Sequence, residues 1–350
     1  MTPQDLALNT VTSEPLNAET PHGILKQDRT PNELFFKRNH FSFPEIDGNE
    51  WRLDVKLGDS AKSYSLDDLK TFPAKTLLVT MECAGNARKG MDPVPAGTAW
   101  GVGAVSQGEF TGTPLSNLIA EADLPEDAIE LLFVGADHGL TKEYKEAAYE
   151  RSLPIAMALH PDILLVWEMN GETLPVEHGY PLRLLVPGWY GMASVKWLTE
   201  IRAISEPFTG FFQAKDYVYE GHKGVDEIAD GTPVGAKVVR SFILEPQENA
   251  NVPSGHVDIS GIAWSGDTLI AKVELSFDEG QSWVEVELGE QTSRYSMCRW
   301  SYHWHPQATG EQTIIARATD AAGNMQPMEA VWNTGGYANN QVQTITVNVN

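Results

Sequence analysis

Short apolar stretches divided by turn-forming residues run along the first two thirds of the chain. The segments at 77–80 (LLVT) and 131–134 (LLFV) are apolar and β-favouring, which predicts buried strands. The second of these is expected to lead into a loop at 135–138. Two further apolar segments, at 163–169 and 182–186, are separated by a turn that contains the dipeptide Asn-Gly. We therefore expect these last two segments to be strands of one sheet.

Helix signals in the same region are few and short. Ser65, followed three residues later by Asp68, has the form of a capping box, which predicts the start of a helix. Thr113 before Pro114 places a capping residue ahead of a proline at the first helical position. The apolar residues that would share one face of this second helix are Leu115, Leu118, Ile119 and Ala122.

The pattern changes in the last third of the chain to short segments in which apolar and polar residues alternate. Residues 257–264 and 271–276 show this alternation, and its spacing is typical of an immunoglobulin-like β-sandwich. We therefore divide the chain into an unpatterned N-terminal arm at 1–23, a first domain at 24–231 and a β-sandwich at 232–350.

Composition and charge exclude several classes of protein. The chain has 350 residues, 42% of them hydrophobic, which suffices for two globular domains. Its net charge of −23 argues against nucleic acid or an anionic membrane as a partner, and an anionic substrate would need a local pocket of arginines. No run of about 18 apolar residues could span a membrane, and no secretory leader is recognisable. The expected location is the cytoplasm, or the periplasm if a leader has been removed.

One cysteine lies where a predicted strand gives way to an irregular segment. Cys83 follows the strand at 77–80, and the glycines and prolines beyond it can form only a loop. A thiolate at such a position is a soft ligand for a transition metal, and Arg88 would lower the pKa of the thiol. A lone cysteine that packs as a small buried hydrophobe has the same appearance in sequence. These residues alone leave both interpretations open.

Several motifs resemble those of the sulfite oxidase family of molybdopterin enzymes, in the order in which that family carries them. The stretch CAGNAR at 83–88 is similar to the motif that supplies the molybdenum ligand. The other similar stretches are FKRNH at 36–40, WGVGAV at 100–105, HGYPLR at 178–183, SVKWL at 194–198 and KDY at 215–217. The stretch at 179–189 looks more like the bacterial sulfur-compound dehydrogenase branch. The resemblance implies an α+β fold, a sulfite-oxidase-type molybdopterin-binding domain followed by an immunoglobulin-like β-sandwich.

The resemblance also implies roles for individual residues. Cys83 would be the protein ligand of a molybdenum that the pterin cofactor otherwise holds. The residues that would line the substrate pocket are Arg38, Arg88, Trp100 and Tyr217. Its two arginines would hold a small oxyanion such as sulfite by charge-assisted hydrogen bonds, whereas Trp100 fits a core position against glycines equally well. The residues that would bind the pterin are Phe36, His40, Asp137, His178, Arg183, Ser194 and Lys196.

Local spacing places some of these side chains. His178 and Arg183 are five positions apart, so on one strand they would face opposite sides, and we expect His178 to lie just before the strand. Ser194 and Lys196 alternate to the same side of the strand predicted next. His138 is expected at the surface.

The activity implied by the resemblance is oxidation of sulfite, or a related sulfur oxyanion, to sulfate by oxygen-atom transfer. Electrons would pass to a separate acceptor, for which a cytochrome is one candidate, because the chain carries no Cys-x-x-Cys-His haem attachment. The β-sandwich would form a homodimer. One position departs from the family, since Gly335 stands where relatives with this pocket carry a third arginine. We therefore expect weaker binding of sulfite, which Gly335→Arg would restore.

Other functions remain open from the sequence. A reductase of the same superfamily, acting on nitrate or a sulfoxide, would share Cys83 but need a different pocket. A cofactor-free binding protein on this fold would contain no molybdenum, so metal analysis separates it from an enzyme. His303 and His305 share one face of a predicted strand and suggest a further metal site, but no third ligand is near them in sequence.

Overall fold

The computed structural model describes residues 7–120, 124–221 and 228–350, and most of their regular structure is β-strand. The strands of the N-terminal part are β1 Asn9–Thr12, β2 Asn17–Glu19, β3 Leu53–Leu57, β4 Ser60–Tyr64, β5 Lys75–Glu82, β6 Val105–Pro114, β7 Glu130–Leu140, β8 Glu146–Pro154, β9 Leu164–Met169, β10 Glu172–Thr173, β11 Arg183–Leu185, β12 Leu198–Ile204, β13 Val218–Tyr219 and β14 Thr232–Pro233. The strands that follow are β15 Arg240–Glu245, β16 Ala250–Val252, β17 Val257–Trp264, β18 Ile270–Ser276, β19 Val284–Glu285, β20 Glu287–Leu288, β21 Cys298–Trp304, β22 Gly310–Asp320 and β23 Gln343–Val349. The helices are α1 Leu66–Leu69, α2 Leu115–Ile119 and α3 Ile155–Ala158.

Two five-stranded sheets form the first domain. One has the order β10-β9-β6-β5 with β11 also paired to β9, and the other has the order β4-β3-β12-β7-β8. Leucines of both sheets meet in one apolar core, among them Leu53 and Leu131 from the second sheet and Leu165 and Leu184 from the first. Burial of these side chains holds the sheets together, because apolar surface removed from water contributes roughly 25 cal/mol per Å².

The strands predicted from apolar segments are present. Residues 77–80 lie within β5, and the segments at 163–169 and 182–186 contain β9 and β11, which pair in one sheet as predicted. The predicted loop at 135–138 is wrong, because β7 continues through these residues with a shift of register against β8. His138 is exposed, as predicted.

Helix is scarce in the part of the chain that the structure describes. The three α-helices have only four or five residues each, so the domain is mainly β and holds less helix than an α+β description implies. The predicted capping box is confirmed. Ser65 Oγ accepts a hydrogen bond from the Asp68 N–H (3.1 Å), and Asp68 Oδ2 accepts one from the Ser65 N–H (2.8 Å).

The second helix starts differently from the prediction. Thr113 is the penultimate residue of β6, and its hydroxyl donates to the Pro73 carbonyl instead of capping α2. Pro114 is the residue that precedes the helix, without a side-chain cap. Ala122, which was expected on the apolar face of this helix, lies outside the described residues.

The N-terminal segment is folded where an unpatterned arm was expected. β1 and β2 pair as a hairpin, and Ala18 exchanges backbone hydrogen bonds with Lys37 at 2.9 and 2.8 Å. The Asn17 side chain is buried and accepts a hydrogen bond from the Asn39 N–H (2.8 Å). Residues 9–19 therefore support the segment at 36–40 that carries three of the predicted site residues.

The C-terminal domain consists of two sheets that share an apolar core. The strand orders are β15-β17-β21-β20 and β16-β23-β22-β18-β19. Ile259 and Trp300 of one sheet pack with Val273 and Ile314 of the other. The alternating segments at 257–264 and 271–276 form β17 and most of β18, as predicted.

The two domains are in close contact. An apolar cluster joins Leu25 and Val105 of the first domain to Trp264 and other residues of the second. A C-terminal segment also returns to the loop after β5, where the Ala338 N–H donates to the Ala84 carbonyl (2.8 Å). The environment of this loop is therefore built by both domains. The described residues include no helix that combines the length and the apolar character needed to span a lipid bilayer.

Candidate active site

Cys83 lies immediately after β5 and is buried, with 5% of its surface exposed. Its N–H donates to the Ala104 carbonyl (2.9 Å), which continues the pairing of β5 with the chain before β6. The chain then turns, and Asn86 stabilises the turn by donating to the Glu82 carboxylate (3.0 Å) and accepting from the Ala104 N–H (3.1 Å). Burial raises the pKa of the Cys83 thiol, and the positive charges of Arg38 and Arg88 oppose this effect.

Two cavities meet at Cys83. The inner cavity extends between the sheets of the first domain, and the outer cavity, with a volume of ≈ 500 Å³, opens where the two domains face each other. Cys83, Arg38 and Tyr217 line both cavities. The predicted residues that line only the inner cavity are Phe36, His40, Asp137, His178, Arg183, Ser194 and Lys196. Those that line only the outer cavity are Arg88 and Trp100, so every predicted site residue borders one of these two spaces.

Arg183, His178 and Ser194 are linked at one end of the inner cavity. Arg183, at the start of β11, donates to the backbone carbonyls of His178 (2.9 Å) and Ser194 (3.2 Å). As predicted, His178 precedes the strand. The prediction that Ser194 and Lys196 lie on a strand is wrong, because they lie in the irregular segment between a short 3₁₀ turn and β12. Burial lowers the pKa of Arg183 to about 10, so the guanidinium stays charged at neutral pH.

His178 is neutral and has a defined tautomer. Burial, together with the charges of Lys196 and Arg183, lowers its pKa to about 3. Its Nε2 lies 3.1 Å from the Asn32 carbonyl. Because a carbonyl can only accept, the proton is on Nε2 and the lone pair is on Nδ1. The ring can therefore accept a hydrogen bond through Nδ1.

Asp137 and Lys196 form the polar wall of the inner cavity. Lys196 Nζ donates to the Asn39 side-chain oxygen and to the Glu177 carbonyl (3.0 Å). Burial lowers the pKa of Lys196, while the charge of Asp137 opposes this shift. Burial raises the pKa of Asp137 to about 6 against the opposing charge of Lys196. Within the described chain, Asp137 Oδ1 and Arg183 Nε are buried and have no hydrogen-bond partner.

His40 and Tyr217 connect the two cavities. The Tyr217 hydroxyl lies 3.0 Å from His40 Nε2, and the His40 ring stacks on Tyr149 with centroids 4.9 Å apart. Burial lowers the pKa of His40 well below its usual value and raises that of Tyr217. Both groups are therefore neutral near pH 7, and the protonated Tyr217 hydroxyl can donate to a ligand when the tautomer of His40 carries its ring proton on Nε2.

The outer cavity contains two guanidinium groups that are held by neutral oxygens. Arg88 donates to the Gly335 carbonyl from Nε (2.9 Å) and Nη2 (2.6 Å) and to the Thr98 carbonyl from Nη1 (2.7 Å). Arg38 donates to the Asn39 carbonyl and to the Asn17 side-chain oxygen (3.3 Å). Within the described residues neither arginine forms an ion pair with a carboxylate, although the negative charge of Asp216 acts on Arg38 from a greater distance.

The lysines of the outer cavity differ from the arginines because acidic groups neutralise them. Lys142 pairs with Asp216 (2.5 Å), and Lys215 pairs with Glu143 (2.8 Å). All four side chains line the cavity, as do the two arginines. Among the described groups of this cavity, the cations that form no ion pair are Arg38 and Arg88 beside Cys83, so an anion that enters would be drawn to them, while Glu220 also lines the space.

Gly335 lines the outer cavity, but its surroundings contradict the expectation that an arginine here would restore a cation. A Cβ atom at this position would lie 2.3 Å from the Tyr337 ring. That ring is buried, and its hydroxyl donates to the Asp216 carbonyl (2.9 Å). The Gly335 carbonyl also accepts two hydrogen bonds from Arg88. A larger residue would have to displace Tyr337 and would disturb the groups that hold Arg88.

The residues around the cavities fit a molybdopterin cofactor. Cys83 offers a soft sulfur ligand at the junction. The inner cavity offers buried cations suited to an anionic phosphate, the hydrogen-bond acceptor of His178, and the unpartnered Asp137 Oδ1 and Arg183 Nε. A polar ligand in this space would supply partners for Asp137 Oδ1 and Arg183 Nε.

Some residues of the site were not found from the sequence. Asn39 and Glu177 accept hydrogen bonds from Lys196. Each is adjacent in sequence to a predicted site residue, and this adjacency is the sequence signal that could have identified them. Tyr149 and Tyr337 lie in segments without a recognisable motif, and only the fold brings them to the cavities.

Comparison with known proteins gives consistent results. Residues 40–212 match the family model described as "Oxidoreductase molybdopterin binding domain", and residues 235–350 match "Mo-co oxidoreductase dimerisation domain". The chain is 35% identical to the mitochondrial sulfite oxidase of Rattus norvegicus, with 98% of this chain and 66% of the rat protein covered. It thus spans just under two thirds of that relative. It is 34% identical to the sulfite oxidase of Arabidopsis thaliana, with 96% and 93% covered.

A solved structure shares the architecture of the whole chain. The sulfane dehydrogenase SoxCD from Paracoccus pantotrophus superposes with a TM-score of 0.84 at 25% sequence identity. The superposition covers 99% of this chain and 91% of that chain. Both domains and their mutual arrangement are therefore similar in the two proteins.

Proposed function

Since this chain belongs to the sulfite oxidase family of molybdopterin oxidoreductases, we propose that it oxidises sulfite, or a related sulfur oxyanion, to sulfate. In the net reaction sulfite and water give sulfate, two protons and two electrons. The electrons pass to a separate acceptor, for which a cytochrome is one candidate. The observation that carries this proposal is the pair of guanidinium groups, Arg38 and Arg88, that form no ion pair among the described residues and lie beside Cys83 in the outer cavity.

The substrate anion is bound by the two arginines. The site must attract an anion locally, because the chain as a whole carries a charge of −23 and repels anions at long range. Charge-assisted hydrogen bonds from a guanidinium are stronger than neutral ones and have a defined geometry. The backbone carbonyls that hold Arg88 fix its orientation before substrate arrives, so little ordering is needed on binding.

Tyr217 and Trp100 complete the substrate pocket. The protonated hydroxyl of Tyr217 is a hydrogen-bond donor for an oxygen of the anion, and His40 orients this hydroxyl. Trp100 is fully buried beside Cys83 in an apolar cluster and limits the access of water to that side. Exclusion of water strengthens the electrostatic interactions of the arginines with the anion.

The pterin is held in the inner cavity by Phe36, His40, Asp137, His178, Arg183, Ser194 and Lys196. Arg183 and Lys196 are suited to its phosphate, while Asp137 and the Nδ1 of His178 accept hydrogen bonds from ring N–H groups. Cys83 supplies the sulfur ligand of the metal. When bound, the molybdenum cofactor supplies the transferable oxygen and takes up the electron pair.

The C-terminal domain forms a homodimer in this proposal, and we assign it an immunoglobulin-like sandwich. Its two-sheet architecture and the match to a dimerisation domain support this assignment. Analytical ultracentrifugation at micromolar concentration tests it, with a sedimenting species of twice 38.5 kDa expected. A single 38.5 kDa species would show that the chain is monomeric.

Steady-state kinetics with sulfite and ferricyanide test the proposed reaction. Protein loaded with molybdenum cofactor should reduce ferricyanide when sulfite is supplied, whereas the cofactor-free protein should not. A parallel assay with nitrate and a reduced dye detects the reductase alternative. Turnover of nitrate without turnover of sulfite would refute the proposal. Protein that is purified without molybdenum and cannot be loaded with cofactor would support a cofactor-free binding protein instead.

A further inference from the structure

Three histidines and one aspartate gather on the outer face of the C-terminal domain. Asp258 on β17 lies opposite His303 on β21 in the antiparallel register. Their neighbours Val257 and Trp304 are buried, while Asp258 and His303 are exposed. Because side chains alternate along a strand, His256 and His305 emerge on the same face as this pair. The sequence showed only His303 and His305, and the pairing of β17 with β21 brings His256 and Asp258 beside them.

The ligand atoms of this cluster are close together. His256 Nε2 and His303 Nδ1 each lie 2.7 Å from Asp258 Oδ1. The ligand atoms of these three residues all lie within 4.8 Å of one another. For bonds of about 2.0–2.2 Å, ligand atoms of a tetrahedral site stand about 3.3 Å apart. These exposed side chains can reach that spacing by small rotations, with no movement of the backbone.

A fourth potential ligand lies beside the three. The ring of His256 lies between two other imidazoles. Its centroid is 5.3 Å from that of His305 and 5.2 Å from that of His303. His305 Nδ1 lies 2.9 Å from the Gly255 carbonyl. Since the carbonyl can only accept, His305 carries its proton on Nδ1 and its lone pair on Nε2, the form that binds a metal.

We propose that His256, Asp258 and His303, with His305 as a further ligand, bind one divalent first-row transition ion such as Zn²⁺ or Cu²⁺. Imidazole nitrogens with one carboxylate favour these ions over Ca²⁺ and Mg²⁺, which prefer oxygen ligands. The cation would take the positions of the two imidazole protons that now point at Asp258. The overall negative charge of the protein also favours accumulation of cations near its surface.

This site is separate from the proposed active site. None of its four residues lines the inner or the outer cavity around Cys83. They lie at the opposite end of β17 from Trp264, which takes part in the contact between the domains. Binding of an ion here is therefore expected to be independent of molybdenum cofactor loading.

Isothermal titration of tag-free full-length protein with Zn²⁺ and with Cu²⁺, after dialysis against a chelator, tests the proposal. We expect one ion of either metal per chain, tighter binding of Cu²⁺, and no detectable binding of Mg²⁺. The double variant His256→Gln/His303→Gln should lose this binding, and Asp258→Asn should weaken it at least tenfold. His160→Gln is the matched control, because His160 also lies near a carboxylate, at 3.8 Å, but next to Arg294.

The control variant should bind like the wild-type protein, and cofactor-free and cofactor-loaded protein should give the same isotherm. Binding of Co²⁺ adds a spectroscopic test, since coordination by imidazoles produces visible absorption that the double variant should not show. Equal stoichiometry and affinity in the wild-type protein and the double variant would overturn the proposal, as would failure of both metals to bind the wild-type protein.

Discussion

Glu82 and Arg240 form a buried ion pair across the contact between the two domains. Arg240 Nη1 lies 3.2 Å from Glu82 Oε1, and the side chains are 4% and 1% exposed. The remaining Glu82 oxygen accepts from the Trp264 indole N–H (2.8 Å). Glu82 immediately precedes Cys83, so the C-terminal domain holds the residue next to the proposed metal ligand. The same carboxylate also accepts from Asn86, which stabilises the turn after Cys83.

The variant Glu82→Gln should destabilise the protein by about 3–5 kcal/mol, because removal of one partner leaves the Arg240 charge buried and uncompensated. Urea unfolding monitored by tryptophan fluorescence measures this change. The double variant Glu82→Gln/Arg240→Met should recover much of the lost stability. A loss below about 1 kcal/mol in the single variant would mean that the ion pair contributes little, as exposed pairs do.

Replacement of the proposed ligand, Cys83→Ser, should abolish sulfite oxidation, because a serine hydroxyl is a harder ligand than a thiolate and loses its proton far less readily than a thiol. The fold should persist, since the change is nearly isosteric. Turnover with ferricyanide and circular dichroism measure the two effects. Cys298→Ser is the matched control, a free and buried cysteine that lies in the C-terminal domain, and it should keep full activity. Wild-type turnover in the Cys83 variant would exclude it as the ligand.

Loss of an arginine from the outer cavity should weaken binding of substrate. We expect Arg88→Ala to raise the KM for sulfite roughly ten- to a hundredfold, since a hydrogen bond to a charged group contributes about 1.5–3 kcal/mol. The KM of Arg88→Lys should lie between those of the wild-type protein and Arg88→Ala. Lysine keeps the charge but cannot bond both carbonyls that hold the guanidinium. Steady-state kinetics on cofactor-loaded protein measure KM. The exposed neighbour variant Lys89→Ala should leave it within about twofold, and equal KM values in all variants would remove Arg88 from the site.

Introduction of an arginine at position 335 should impair the enzyme, contrary to the expectation from sequence. A Cβ at Gly335 meets the Tyr337 ring at 2.3 Å, so Gly335→Arg must displace this ring and disturb Arg88. Such overpacking typically costs about 1–3 kcal/mol. We therefore expect a lower melting temperature and a higher KM for sulfite. Gly335→Ala adds the clashing Cβ without the guanidinium and should show a similar loss of stability. A lower KM with unchanged stability in Gly335→Arg would mean that the backbone accommodates the arginine.

The raised pKa of Asp137 predicts a pH dependence in cofactor-free protein. Burial raises the pKa to about 6, above the value near 3.9 of an unfolded aspartate, so the folded state favours the protonated carboxyl. This contribution to stability is fully present below about pH 4 and is lost as the pH rises through 6. Asp137→Asn should therefore be more stable than the wild-type protein at pH 7.5, by up to about 3 kcal/mol, with a smaller difference at pH 5.

Urea unfolding at the two pH values measures this difference. The matched control is Asp59→Asn, at an exposed carboxylate in the turn between β3 and β4. It should change the free energy of unfolding only slightly, and by the same amount at pH 7.5 and at pH 5. A stability difference for Asp137→Asn that is independent of pH would contradict the raised pKa. Loading with cofactor should reduce the difference, because a partner for the unpaired carboxylate oxygen becomes available.

Local patterns in the sequence were sufficient for many elements. Apolar β-favouring runs located β5 and β9, and alternation located β17, because these strands bury at least one face. The pattern failed at residues 135–138, whose glycine and aspartate are poor strand formers. Pairing with β8 overrides that weak propensity. It also failed at the N-terminal hairpin, which depends on backbone hydrogen bonds to Lys37 and has no apolar alternation of its own.

The sequence by itself determined which chemical groups are available: one strand-end cysteine in a recognisable motif, the arginines and histidines around it, and a β-rich second half. Only the tertiary structure decided which of them meet. Glu82 and Arg240 are 158 positions apart, and Asp258 and His303 are 45 apart. Neither pair leaves a signal in the chain between its members. Patterns of apolar residues specify local conformation and a buried face, whereas contacts between distant residues follow from how sheets, loops and domains pack around a shared core.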